Sequence, residues 1–129
     1  MVHGCTKPEE IRAQESLLAE IGQALGHPAR IEILRLLENG ELCSCEIGPL
    51  FHLDQSGISR HLSALRRAGL IVSRQEGVRV LNRLASSRVV DLLALADRIA
   101  LEAAEGPFGR TENRKPKLGV KRRAGLQER

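Results

Sequence analysis

The stretch Glu41-Leu42-Cys43-Ser44-Cys45-Glu46-Ile47 holds two of the three cysteines of a 129-residue chain, separated by one serine. Thiolates are soft ligands and good nucleophiles, so such a pair can chelate a soft ion or cycle between dithiol and disulfide. Residues two apart on an ideal helix point to nearly opposite sides. One ion can therefore bridge the pair only where the start of its helix is distorted or unwound. The plain alternative is a pair of small buried core residues. Three cysteines, an odd number, in a chain of this size make no disulfide framework, and in a reducing compartment they are expected as thiols or metal ligands.

A second candidate surface follows at once. From Asp54 to Gly69 a good N-cap and a good stop enclose Ile58, Leu62 and Leu65 at i, i+4 and i+7, the apolar stripe of a helix. Its other face reads Ser56, Ser59, Arg60, Ser63 and Arg67, with no carboxylate among them. An ordinary solvated face interleaves acids with its bases. Short hydroxyls and guanidinium groups alone suit a helix laid in the major groove of DNA, where phosphates repel acids.

The elements that must position these two features are legible around them. A helical pattern starts near Pro8, with Leu17, Leu18, Ile21, Ala24 and Leu25 on one stripe, and Gly26-His27-Pro28 stops it. Pro28 opens a second helix at its first position, and Ile31, Ile33, Leu34, Leu36 and Leu37 make it apolar on several sides, a core pillar ended by Asn39-Gly40. The cysteine segment begins a short third helix with Ile47, Leu50 and Phe51 inward, and Pro49 requires a late start or a kink. Short helix, the turn Phe51-His52-Leu53 and a second helix make a helix-turn-helix layout. After Leu70 the period changes. Ile71 to Gln75 and Val78 to Leu84 flank Glu76-Gly77 as a hairpin lined by Arg74, Arg79 and Arg83, a basic wing able to touch phosphates or the minor groove.

Ser86-Ser87 can cap a last helix through Glu105, with Val89, Leu92, Leu93, Ala96, Ile99, Ala100 and Ala103 on a wide apolar face. The sequence shows no obvious intrachain partner for it except the first helix. We expect both helices to bury their faces against a second copy, giving a twofold homodimer; a monomer packing both on its own core is the alternative. The expected fold is mainly α with a small β-hairpin wing, a homodimeric winged helix-turn-helix. Its organisation reads as an N-terminal arm and start of the first helix over 1–16, the DNA-binding and dimerisation domain over 17–104, and a basic disordered tail over 105–129.

Charge supports that division. Residues 1–59 carry four Lys/Arg against nine Asp/Glu, 60–90 seven against one, 91–109 one against four, and 110–129 eight against two. A cationic middle flanked by acidic helices presents one surface to a polyanion. With 2% aromatic residues and neither Trp nor Tyr, the chain has almost no stacking platforms, which disfavours single-stranded nucleic acid. No apolar run of about 18 residues and no secretory leader pattern is present, so a cytoplasmic protein with no membrane partner is expected.

The segments Leu25 to Leu37, Glu41 to Ile47, Gln55 to Leu62 and Leu65 to Ile71 together resemble, in order and spacing, the ArsR/SmtB family of metal-responsive repressors. The resemblance covers roughly residues 17–104. It implies a homodimer that sits on double-stranded operator DNA with no cofactor required and leaves when a toxic metal or metalloid binds. Within that family the Glu-Leu-Cys-x-Cys-Glu segment looks like the metal box of the arsenic and cadmium/lead sensors. On this resemblance Cys43 and Cys45 match the paired ligands, and Gln55, Ser56, Ser59, Arg60 and His61 fall in the reader helix; Ser63 and Arg67 of the helix face and Arg74 and Arg79 of the basic hairpin, read above from the residues themselves, are expected as further DNA contacts. Two departures stand out: Gly48 occupies the place of a third cysteine found in arsenic sensors, and the last helix carries Asp91 and Asp97 but no histidine, unlike the zinc and nickel or cobalt sensors. Cadmium/lead sensors of the family draw cysteines from an N-terminal arm, which makes Cys5 the expected third ligand, within or across the dimer.

Three sulfurs without histidine or carboxylate suit three-coordinate As(III) or Sb(III); four-coordinate Zn(II) or Cd(II) would need one more donor, such as His3 or a water, and Cd(II) or Pb(II) is the alternative inducer. Three rival readings remain open. Cys43 with Cys45 or Cys5 can form a disulfide or polysulfide, making a redox- or sulfide-responsive repressor of the same fold. A DNA-binding module with idle cysteines is the second. An enzyme using the pair as a thiol–disulfide couple is the third, but no pocket, base or strand-helix scaffold is apparent for it, so the chain is not expected to be an enzyme.

Overall fold

A computed structural model describes residues 8–106, arranged as α1 (Pro8–Leu25), α2 (Pro28–Leu37), β1 (Leu42–Cys43), α3 (Ser44–Leu50), α4 (Gln55–Arg67), β2 (Ile71–Glu76), β3 (Arg79–Leu84) and α5 (Arg88–Glu105). The helices α2 and α4 begin where a side chain caps their first free N–H groups. His27, in extended conformation, caps α2, its Nδ1 accepting from the Ala29 N–H at 3.2 Å, and Pro28 takes the first helical position. Asp54 caps α4 through a 2.8 Å bond from the Gly57 N–H, and two further groups hold its carboxyl below the usual range: the Ser56 hydroxyl and the Arg60 charge. At the far end Gly69 adopts φ 78°, which lets the Leu70 N–H reach Leu65 O at 3.0 Å and the Gly69 N–H reach Arg66 O at 3.0 Å. That pair of bonds closes the helix and turns Leu70 into the core.

α5 departs slightly from expectation. Ser87 stands at its N-cap but makes no side-chain capping bond, and the Ser86 hydroxyl accepts from the Arg88 N–H at 3.2 Å instead.

The cysteine segment differs more. Leu42 and Cys43 form a strand that pairs antiparallel with β3 (Leu42 opposite Asn82, Cys43 opposite Leu81), and the helix begins only at Ser44. Two residues carry no periodicity from which a strand could be read; the cause is the neighbouring wing, whose inner strand offers an open edge. The sheet is therefore three-stranded, in the order β1-β3-β2. α3 runs only one residue past Pro49, and His52 at φ 53° makes the turn toward α4. The wing tip is Gly77-Val78, one residue beyond the expected Glu76-Gly77, with Gly77 at φ 62°.

α2 is the pillar expected of it. Ile33 and Leu34 are wholly buried and share one core with Ile47 of α3 and Leu65 of α4. α1 and α5 contribute little to that core. Only Ala24 of α1, and Val89 and Leu93 of α5, are fully buried. Leu17, Leu18, Leu95, Ile99 and Leu101 are each more than half exposed, so both helices carry apolar faces that this chain does not cover. Asp97, one of the two acids noted on the last helix, holds α5 to α2 through a 2.6 Å pair with Arg35. No helix among the described residues is long and apolar enough to cross a membrane.

Candidate functional site

The strand-to-helix junction resolves the geometric difficulty of the cysteine pair. Cys43 is extended (φ −69°, ψ 143°) and caps α3, whereas Cys45 is already helical. The change of conformation between them removes the opposed orientation an unbroken helix would impose, brings their Cα atoms to 5.1 Å, and joins their Sγ atoms in a disulfide. Thiols were expected, and the oxidised pair is what the structure holds. The two differ in access: Cys43 is buried against the sheet, Cys45 is exposed.

The local bonds preserve this junction. The Cys45 N–H donates to Cys43 Sγ at 3.1 Å, and the Cys43 N–H donates to Glu46 Oε1 at 3.3 Å, a capping box with sulfur in the usual place of a hydroxyl. Glu46 thereby joins the site. One donor atom from each of Cys43, Cys45 and Glu46 lies within 4.8 Å of the others, a set able to meet a thiophilic ion on one side. This carboxylate, which directly follows Cys45 in the chain, adds an oxygen donor to the sulfur ligands expected there. Cys5 lies outside the described residues.

The acids that bracket the pair reach the wing. Glu41 receives two bonds from Arg74, Nη2 at 2.7 Å and Nε at 3.0 Å, and Glu46 pairs with Arg79 Nη2 at 2.7 Å. Arg74 also meets Glu76 at 3.0 Å. The guanidinium of Arg74 lowers the Glu41 carboxyl below its ordinary range, and Glu41 raises Arg74 in return. Both wing arginines singled out as DNA contacts thus rest on the segment that carries the cysteines. Such exposed pairs are weak and can exchange for other anions.

On α4, Gln55, Ser56, Ser59, Arg60 and Arg67 are exposed and Ser63 is half-buried, while Ile58, Leu62 and Leu65 are buried as expected. Ser56 donates to Asp54 Oδ2 at 3.1 Å, so its hydroxyl takes part in the cap. His61 turns sideways, toward the start of α2. Its Nδ1 accepts from Arg30 Nε at 3.2 Å, and its ring lies 4.5 Å from that of His27.

Burial first, then the charges of His27 and Arg30, lower the His61 pKa below its ordinary 6.5. Protonation then favours the unfolded chain. The stability tied to neutral His61 is complete above pH 6.5 and is lost as pH falls through the lower folded value. We expect the thermal midpoint to drop on acidification below that point, and His61→Gln to make the drop smaller, since one titrating group then no longer differs between the two states. Thermal melts of both proteins across that pH range check it.

The arrangement is a thiol pair at the entry to a helix-turn-helix, tied by ion pairs to its wing. Residues 27–73, from the cap of α2 into β2, match the family described as bacterial regulatory protein, arsR family. An uncharacterized HTH-type transcriptional regulator of Methanocaldococcus jannaschii is 39% identical over 82 residues, spanning 63% of this chain and 92% of its own. The HTH-type transcriptional regulator CmtR of Mycobacterium bovis is 36% identical over 88 residues, 68% of this chain and 75% of its own. Among solved structures, the homodimeric winged helix-turn-helix DNA-binding domain of a Mycobacterium bovis protein superposes with a TM-score of 0.69 at 32% identity, covering 81% of this chain and 94% of that one.

Proposed function

The chain belongs to the arsR family of bacterial regulatory proteins, and on that premise we propose that it is a cytoplasmic, homodimeric repressor released from operator DNA by trivalent arsenic or antimony. The observation that carries this reading is the side-by-side placement of Cys43 and Cys45 at the β1–α3 junction, where α3 leads directly into α4.

In the DNA-bound dimer, α1 and α5 bury their exposed leucines and isoleucines against the second copy, and the two α4 helices enter successive major grooves. Gln55, Ser59, Arg60, Ser63 and Arg67 address bases and phosphates there, with Ser56 and His61 supporting the helix. Arg74 and Arg79 leave Glu41 and Glu46 for backbone phosphates. The inducer acts on the reduced protein. Two thiols displace two hydroxyls of arsenous acid as two waters, leaving arsenic bonded to both sulfurs and to its remaining hydroxyl, which the Cys5 thiol can displace as a third water. Closing that chelate constrains the junction between β1 and α3, shifts α3 against α4, and weakens the fit of both reader helices. Cadmium or lead, recruiting Glu46 as an additional oxygen donor, is the alternative inducer.

A second reading is favoured by the disulfide. Hydrogen peroxide takes two electrons from the exposed Cys45 thiolate, leaving a sulfenic acid and hydroxide; the buried Cys43 sulfur attacks it, forms the S–S bond and releases water. The same junction is then locked by oxidation.

Selection of bound sequences from a random double-stranded DNA library, followed by elution with arsenite, cadmium or peroxide, tests these readings. An inverted repeat with half-sites about one helical turn apart and elution by arsenite support the proposal; elution by peroxide alone supports the second reading, and retention under all three removes both. Glu46→Gln provides a further check. Freed from its carboxylate, Arg79 becomes available to phosphate, and operator affinity should rise by about two- to fivefold, the worth of one exposed pair. Fluorescence anisotropy measures it.

A further inference from the structure

Asn82 is the one buried polar side chain among the described residues, wholly excluded from solvent in the middle strand of the sheet. A buried amide is costly unless its hydrogen-bonding groups are partnered, and an aliphatic residue there would close the sheet at no such cost. Its partners define what it does. Nδ2 donates to Ser44 Oγ at 3.0 Å, to Leu42 O at 3.2 Å and to Val80 O at 3.4 Å. Oδ1 accepts from Ser73 Oγ at 2.7 Å, and Ser73 Oγ accepts in turn from Arg66 Nε at 3.1 Å.

Resting on the thiol-gated reading above, we infer that Asn82 is a positioning residue connecting the thiol site to the reader helix, through the row Arg66–Ser73–Asn82–Ser44. Three features of the fold align it. Asn82 stands opposite Leu42 on one side and Ser73 on the other, so all three strands contribute to a single lateral row. Ser44 sits between Cys43 and Cys45 and moves with any change at the junction. Arg66 lies in the last turn of α4, beside Arg67. The principal bonds run donor to acceptor in one direction, from the exposed Arg66 to the buried Asn82 and on to Ser44, so each polarises the next.

With the two sulfurs bridged, as they are here, the row is intact and Arg66 is tied to β2. Opening the bridge frees Ser44, changes the partner of the Asn82 amide and loosens Ser73 and Arg66 in turn. The bridged and unbridged states therefore hold α4 differently. Both ligands, inducer and operator, thereby bias one two-state element, the physical requirement for coupling between sites.

The test follows the Arg66 Nε–H signal by NMR in the full-length protein, assigned by its loss in Arg66→Lys. Spectra are taken reduced, with arsenite, and after diamide oxidation to the disulfide, alongside operator affinity in each state. In the wild type, bridging should shift the Arg66 signal. In Ser73→Ala, whose site is only half-buried, the fold remains, the signal should no longer respond to bridging, and the ratio of operator affinities between unbridged and bridged protein should fall by about fivefold or more. Asn82→Thr should act in the same way, its folding checked by the dispersion of the spectrum. A wild-type Arg66 signal unmoved by bridging, or one that moves equally in Ser73→Ala, overturns the relay even where bridging releases DNA. If Arg66 responds through Ser73 while operator affinity stays constant, the relay stands and the inducer reading falls.

Discussion

Serine in place of either Cys43 or Cys45 is expected to leave operator binding intact and abolish release by arsenite. A hydroxyl is a hard, protonated donor and forms no stable counterpart of the arsenic–sulfur bond. One remaining sulfur cannot close the chelate, so the strain on the β1–α3 junction never develops. The whole coupling is then lost, and coupling between two ligands typically amounts to about 5–150-fold in affinity. The substitutions should not unfold the protein. Cys43 caps α3 through its sulfur, and serine is among the preferred N-cap residues, so its loss of volume is offset by a stronger capping bond. Cys45 is exposed and packs against little. Anisotropy titrations with and without arsenite, with thermal midpoints of the same proteins, check both halves of the expectation.

The second large effect concerns assembly. Leu18→Glu combined with Ile99→Glu should give a folded monomer whose operator affinity is lower by about 100-fold or more. Both side chains are more than half exposed and neither belongs to the core around Ile33, Leu34 and Leu65, so the charge is introduced without disturbing the fold. A second copy would have to bury those carboxylates unpaired. Operator binding then loses the second half-site, and a tethered second contact is typically worth about 10²–10⁴ in avidity. Sedimentation velocity shows the monomer directly. An unchanged dimer, or a monomer with wild-type affinity, contradicts the assignment of α1 and α5 as the interface.

Much of this was readable in the sequence for a physical reason. α4 announces itself through Asp54, Gly69 and a clean apolar stripe, since capping and amphipathicity are local properties. The same holds for Pro28 at the start of α2 and for the change of period that marks the wing. What escaped is what depends on distant partners. β1 exists only because β3 offers it an edge, and Leu42-Cys43 alone carries no strand signal. The pairing of Arg74 with Glu41 and of Arg79 with Glu46 joins residues 33 positions apart, so a basic hairpin looked free when it is held. Asn82 left one trace, an amide in a strand of Val and Leu where asparagine is depleted, but its row of partners comes from three strands and two helices.

These non-local contacts bear on the mechanism. The cysteine segment is a strand of the wing's own sheet as well as the entry to the helix-turn-helix, so one constraint at Cys43 and Cys45 acts on both DNA-facing elements. The wing is reached through Glu41 and Glu46, the reader helix through α3 and the Asn82 row.

The central claim is that a bridge between Cys43 and Cys45 and operator DNA oppose one another on the same protein. Its most direct test is to measure that opposition from both sides: the operator Kd of the reduced wild type with and without one equivalent of arsenite per protomer, and the arsenite Kd with and without operator. Linkage requires the two ratios to agree, and the expected value is about fivefold or greater in the direction of mutual weakening. Ratios of one, for arsenite and equally for cadmium and diamide, would mean that the cysteines of this regulator carry no signal to its DNA.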